Sequence, residues 1–266
     1  MKAHDEDEPI GVFDSGVGGL SVLYAIRREL PDENLLYAAD SGNAPYGDRD
    51  ADFIKNRALL MTRFLLAQGA KTIVVACNTA TVVAVSELRS WCPVPVVAME
   101  PAIKPAAQMT RSGIVGVLAT RQTLSSPSVA RLCETHGDSV KFLLQACPGL
   151  VEKVERAELT SEATRALLVG YLSPLLAAGA DTLVLGCTHY PFLIPLIQEI
   201  AGPEVLIIDP AVAVSREVAR RLVPNLNFMS RSRPVTTRFF SSSPLDEAQA
   251  AISALWGERV TVHAIG

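Results

Sequence analysis

Long apolar runs are missing from this 266-residue chain. Its most apolar stretch, ALLVGYLSPLLAAGA from residue 166, is interrupted by Ser173 and Pro174. It falls short of the roughly 20 residues needed to cross a bilayer. No targeting signal is expected either. The chain begins MKAHDEDEP, acidic and polar where a secretory leader is basic and then apolar. Basic charge is not in excess: 24 Lys and Arg stand against 28 Asp and Glu, for a net charge of -4. A general nucleic-acid binder needs a basic face, so neither membrane nor nucleic acid is an expected partner. There is no CxxC pair, and of only four histidines, His4 lies in the first residues and His263 near the last. No metal site is therefore expected. The five cysteines are odd in number and lack the spacing of a disulfide framework. Free thiols in a reducing, cytoplasmic setting are expected.

What the chain does have is one pattern written twice. Residues 69 to 79 read GAKTIVVACNT and residues 179 to 189 read GADTLVLGCTH. Gly69, Ala70, Thr72, Val74 and Cys77 align with Gly179, Ala180, Thr182, Val184 and Cys187. Each copy is a short aliphatic, β-branched run, the signature of a buried parallel strand. Each ends in Cys and small polar residues before a helical pattern begins. Such a thiol lies outside the carboxyl end of a strand, where α/β sheets place ligands, and near a helix start that favours thiolate. A second echo, IGVFDS at 10 to 15 against VGVLAT at 115 to 120, recurs at an offset of 105 residues. The cysteine copies are offset by 110. The similar offsets suggest two halves of related topology.

Strand-like and helix-like segments alternate along the chain, which predicts α/β architecture with parallel sheets. Residues 1 to 8 read as a disordered tail. Strands are expected at 10–14, 34–40, 72–76, 92–99, 113–120, 140–147, 182–186, 205–210, 238–242 and 259–265. Helices are expected at 20–30, 53–68, 79–91, around 125–136, at 150–180, from Pro191, at 211–223 and at 245–256. The basic stretch 225–237 reads as a surface connection. The expected division is residues 1–100 with 210–266 as one α/β domain carrying Cys77, and 101–209 as a second carrying Cys187.

The loop DSGVGGLS invites a dinucleotide reading, with Asp40 about where a ribose-binding acid would stand. The third glycine is missing, however, because Ser21 occupies its place. Asp14 also sets a negative charge where a pyrophosphate would approach. A loop that offers Asp14 and Ser15 to a small polar substrate fits better. Cys92, Cys133 and Cys147 read as packing residues. Cys77 and Cys187 differ because their contexts match. A thiol hydrolase needs one nucleophile with a base, not two like thiols. Inversion of a stereocentre does call for a pair: one group removes a proton from one face, and the other returns a proton to the opposite face.

The segments IGVFDSGVGGLSVL, ADSGNAPYGDR, VACNTAT and LGCTHYPFL closely resemble the motifs of glutamate racemases, a family of cofactor-independent, two-cysteine amino-acid racemases. CPGLVEKVE at 147–155 and RFFSSS at 238–243 extend the likeness along most of the chain, the latter departing slightly from the usual run. The resemblance implies two pseudo-symmetric α/β domains with the active site in the cleft between them. It implies conversion of L- to D-glutamate for peptidoglycan, no cofactor, and a homodimer. It also implies that Cys77 works on the D-enantiomer and Cys187 on the L-enantiomer. Asp14 and His189 match the assisting residues, and Glu155 matches a weaker candidate that supports His189. No arginine adjoins either cysteine, so the substrate's carboxylates are expected to meet backbone N–H groups and small hydroxyls. The candidates are Ser15, Tyr46, Gly47, Asn78, Thr79, Thr120 and Thr188, with Asp14 and His189. Asp14 could pair with the ammonium or orient Cys77. The rival readings are a racemase of aspartate or another small amino acid, and a binding protein for a small acidic ligand.

Overall fold

The computed structural model describes residues 8–137, 139–222 and 234–265. The expected tail and most of the expected basic connection lie outside the described residues. The first strand, β1 (Ile10–Asp14), is buried along its whole length. That follows from its position in the middle of a parallel sheet, where helices cover both faces and side chains of either parity must be apolar. Next come α1 (Leu20–Glu29), β2 (Leu35–Ala39), α2 (Ala51–Ala67), β3 (Thr72–Val75), α3 (Asn78–Trp91) and β4 (Val96–Ala98). The second series is α4 (Ile103–Met109), β5 (Ile114–Ala119), α5 (Arg121–Leu124), α6 (Pro127–His136), β6 (Lys141–Ala146), α7 (Leu150–Glu155), α8 (Glu162–Ala177), β7 (Thr182–Gly186), α9 (Ile194–Ala201) and β8 (Leu206–Ile208). The chain closes with α10 (Ala211–Leu222), β9 (Thr237–Ser241), α11 (Leu245–Trp256) and β10 (Val262–Ala264).

Two sheets result, ordered β10-β9-β2-β1-β3-β4 and β6-β5-β7-β8. Every strand pair in them is parallel. The run β2-β1-β3-β4 is matched by β6-β5-β7-β8, and the register repeats as well. Ile10 lies opposite Thr72 in one sheet, and Val115 opposite Thr182 in the other. These are the residues that the two sequence echoes align. Strands β9 and β10 extend the first sheet beyond β2. Between the sheets, α1, α10 and α11 share a continuous apolar core with α7, α8 and α9. Each large aliphatic side chain buried there contributes roughly 1.5–3 kcal/mol. No helix among the described residues is long and apolar enough to cross a membrane.

Three expectations change. The helical stretch 150–180 is two helices, because Ala157 takes a left-handed φ of 55° and Ser161 starts α8 by accepting from the Thr164 N–H. A serine at that position satisfies one of the orphan donors of a helix start. The break ends α7 at Glu155. Second, no α-helix opens at Pro191. Residues Tyr190–Leu193 form a 3-10 turn, and α9 begins only at Ile194. Pro195 has no N–H to give the carbonyl of residue 191, and its ring would clash there. Third, a short helix occupies 121–124 and another 103–109, where no element was expected. In the latter, Pro105 sits in the first turn, where the missing N–H costs nothing.

Candidate active site

Cys77 and Cys187 follow interior strands of different sheets, β3 and β7, and line the same cavity. Ser15, Tyr46, Gly47, Cys77, Asn78, Thr79, Thr120, Cys187, Thr188 and His189 line it, together with Pro45 and Val151. Every expected site residue is on that wall except Asp14, which lies behind it, and Glu155, which meets His189 from outside it.

Cys77 is the N-cap of α3, where its sulfur accepts from the Ala80 N–H at 3.4 Å and lies 3.6 Å from Ser15 Oγ. The sequence position predicts a favoured thiolate. The structure reverses this: burial, and then the charge of Asp14, push the Cys77 thiol up to about 12. Desolvation disfavours the thiolate by more than one N–H bond restores. The second copy diverges, because Cys187 precedes a 3-10 turn and caps no α-helix. Its partner is a side chain instead. Cys187 Sγ lies 3.7 Å from His189 Nδ1, and His189 Nε2 lies 2.6 Å from Glu155 Oε1. Burial alone would lower the His189 pKa. The hydrogen bonds and charges of Cys187 and Glu155 outweigh it and hold the ring well above its ordinary value. These contacts favour the protonated imidazole beside Cys187.

Asp14 is fully buried and joins the two halves. Its Oδ2 accepts from Thr188 Oγ1 at 2.7 Å, and its Oδ1 accepts from the Gly16 N–H at 2.7 Å and Ser15 Oγ at 3.2 Å. Burial raises its carboxyl to about 6 against the lowering influence of His189, Thr188 and Gly16. A hydroxyl triangle closes the opposite wall. Thr79 on α3 meets Thr120 at 2.9 Å and Thr123 at 3.2 Å, and the last two meet at 3.0 Å. The amide of Asn78 is buried, and neither its nitrogen nor its oxygen has a partner. An unpaired buried amide is destabilising, and this one lies on the cavity wall. The N–H groups opening α3 have no partner within the helix. Together they offer donors and acceptors for carboxylates and an ammonium. The Tyr46 hydroxyl differs from expectation because it donates to Asp40, leaving only its ring to the cavity. Among the described residues no three His, Cys, Asp or Glu side chains cluster as metal ligands.

The glycine loop gains its explanation here. A Cβ on Gly16 would overlap Glu155 Oε1, and one on Gly18 would overlap the His189 ring at Nδ1. The glycines admit the Glu155–His189 pair, which comes from the other half of the chain. Asp40 is no ribose ligand either: Arg57 grips it at 2.6 and 2.7 Å, and Ser242 and Asn43 bond it at 2.7 and 2.9 Å. Sequence reasoning missed Thr123 and Ser41, whose only signal was their place inside or beside the quoted motifs.

Fold and cavity define an α/β protein in which each of two related sheets brings one thiol to a shared site for acid–base chemistry on a small polar molecule. The sequence model of the Asp/Glu/Hydantoin racemase family matches residues 10–218, and the chain belongs to that family. It is 52% identical over 256 residues to the glutamate racemase of Ectopseudomonas mendocina (strain ymp), covering 96% of this chain and 97% of that one. The crystal structure of glutamate racemase isoform RacE1 from Bacillus anthracis superposes with a TM-score of 0.87 at 30% identity, covering 98% of each chain. The Escherichia coli glutamate racemase, in complex with L-glutamate and the activator UDP-MurNAc-ala, gives a TM-score of 0.85 at 31% identity, covering 97% of this chain and 98% of that one.

Proposed function

We propose that this protein is a glutamate racemase that interconverts L- and D-glutamate by a two-base mechanism. The observation that carries the reading is the convergence of Cys77 and Cys187, from different sheets, on one small cavity. In the L-to-D direction the Cys187 thiolate takes the α-proton from one face. The negative charge that develops is held by N–H groups and the Asn78 amide. The Cys77 thiol, kept protonated by its burial, delivers its proton to the opposite face. Cys187 is left as thiol and Cys77 as thiolate, the state from which D-glutamate reacts in reverse. His189, held by Glu155, supports Cys187. Asp14 reaches Cys77 through Ser15 and the other half through Thr188, which favours an orienting role over direct pairing with the ammonium. Ser15, Gly47, Asn78, Thr79, Thr120 and Thr188 receive the substrate, with the Tyr46 ring as a wall.

Residues 1–100 with 210–266 form one domain in this reading, 101–209 the other, and the substrate lies between them. The protein works in the cytoplasm as a homodimer and supplies D-glutamate for peptidoglycan. The test is polarimetry of L-glutamate with no added cofactor, with aspartate as the competing substrate. Optical rotation should decay to zero with glutamate, survive a chelator and a carbonyl reagent, and stop on thiol alkylation unless substrate is present. Strong inhibition by the carbonyl reagent, or preference for aspartate, would refute the reading.

The glycine contacts give a second test. Gly18→Ala presses its methyl on the His189 ring, and displacing a catalytic group by about 1 Å lowers rates by roughly 100-fold. Catalytic efficiency, read as kcat/KM, should fall by roughly 10-fold to 100-fold. The melting temperature should stay within a few degrees of wild type, both quantities being measured on the same preparation.

A further inference from the structure

Ser41 opens the 3-10 turn that follows β2, and the chemistry described so far does not use it. Its hydroxyl donates to Glu155 Oε2 at 2.9 Å, joining residues 114 apart in sequence. The other carboxylate oxygen, Oε1, accepts the Val17 N–H at 2.7 Å and meets His189 Nε2 at 2.6 Å. We propose that Ser41 is a positioning residue for the half-reaction at Cys187: it fixes the plane of the Glu155 carboxylate so that one oxygen stays on His189. The proposal rests on the racemase reading above.

Three observations support it. The last torsion of a glutamate side chain is broad and weakly restrained, so the orientation of Oε1 depends on what holds Oε2. Glu155 is 17% exposed. Water can therefore replace the hydroxyl as a solvating group, but it does not fix the angle. Ser41 is itself immobilised by its neighbour, because Asp40 is buried and paired with Arg57, Ser242 and Asn43. The clasp is formed by loops on the first sheet around a carboxylate that ends α7 beside the second. The chain of contacts runs Ser41, Glu155, His189, Cys187. No hydrogen bond runs directly from Ser41 to Cys77, so the shorter path of its influence is through Glu155 and His189 to Cys187.

The experiment compares wild type, Ser41→Ala and Ser41→Thr, using glutamate deuterated at Cα in each enantiomer. The equilibrium constant of a racemisation is one, so kcat/KM must fall equally in both directions. The affected side is read instead from the primary isotope effects. Ser41→Ala should lower kcat/KM about tenfold, as expected for loss of a positioning contact. Proton removal by Cys187 becomes more rate-limiting, so the isotope effect with labelled L-glutamate should rise and that with labelled D-glutamate should fall. Ser41→Thr keeps the hydroxyl and should restore both. Partial misfolding reduces the active fraction but leaves these ratios unchanged. Wild-type behaviour of Ser41→Ala, a loss with unaltered isotope effects, or failure of threonine to rescue would overturn the proposal. A wild type that exchanges no α-proton would overturn the racemase reading and this inference with it, whereas an active wild type confines any failure to Ser41.

Discussion

Cys77→Ala and Cys187→Ala should each abolish racemisation, leaving less than about one part in 10⁴ of the wild-type rate, the upper range of acid–base assistance. Each variant lacks the proton carrier for one face of the substrate, and the other thiol sits on the wrong side to replace it. The same geometry sets the isotope pattern in D₂O. At low conversion of L-glutamate, the D-glutamate formed should carry deuterium at Cα, while the remaining L-glutamate stays almost wholly protiated. In the proposed mechanism Cys187 removes the proton, but a different group, Cys77, adds the solvent-derived deuteron. D-glutamate should give the mirror result. A one-base enzyme would return deuterons to the original face and label its starting material. Rapid wash-in to unreacted substrate, or near-normal turnover by either variant, would refute the two-base geometry even in an active racemase.

Asp14→Asn and His189→Asn should each lower kcat by about 10²–10⁴, measured in both directions. For Asp14 the loss of activity should come with a gain in stability. Its carboxyl is raised from 3.8 to about 6 in the fold, chiefly by burial. A raised carboxyl means that the folded protein binds the proton more tightly than the unfolded chain. Stability is therefore highest below about pH 4, declines as pH rises towards 6, and stays reduced above it. Asparagine never ionises and can still meet Gly16 and Thr188. At pH 8 the variant should be more stable than wild type by on the order of 2–3 kcal/mol, and the difference should vanish near pH 4. Denaturant titrations at the two pH values check this. Equal stability at pH 8 together with full kcat would remove Asp14 from the mechanism. The opposing effects are those of an active site that keeps a destabilising charge for function.

Which strands are buried is legible in the amino-acid order alone, because parallel strands covered on both faces read as unbroken aliphatic runs. So is the ending of two of them in equivalent thiols, because the duplicated segments preserve residue type at every second or third position. The echoes align Ile10 with Val115 and Thr72 with Thr182, and the structure pairs Ile10 with Thr72 and Val115 with Thr182. Short-range rules failed where a local pattern was overridden. Pro195 prevents an α-helix from starting at Pro191, and Ala157 with Ser161 divides one amphipathic stretch into α7 and α8. The chemistry around the thiols, by contrast, is settled by three-dimensional packing. The start of α3 suggests an acidic Cys77, but burial and Asp14 raise it, since desolvation depends on what surrounds the sulfur on every side. Likewise the loop DSGVGGLS looks like a phosphate cradle in one dimension. Its glycines exist to admit Glu155 and His189, residues far along the chain whose approach no local spacing encodes.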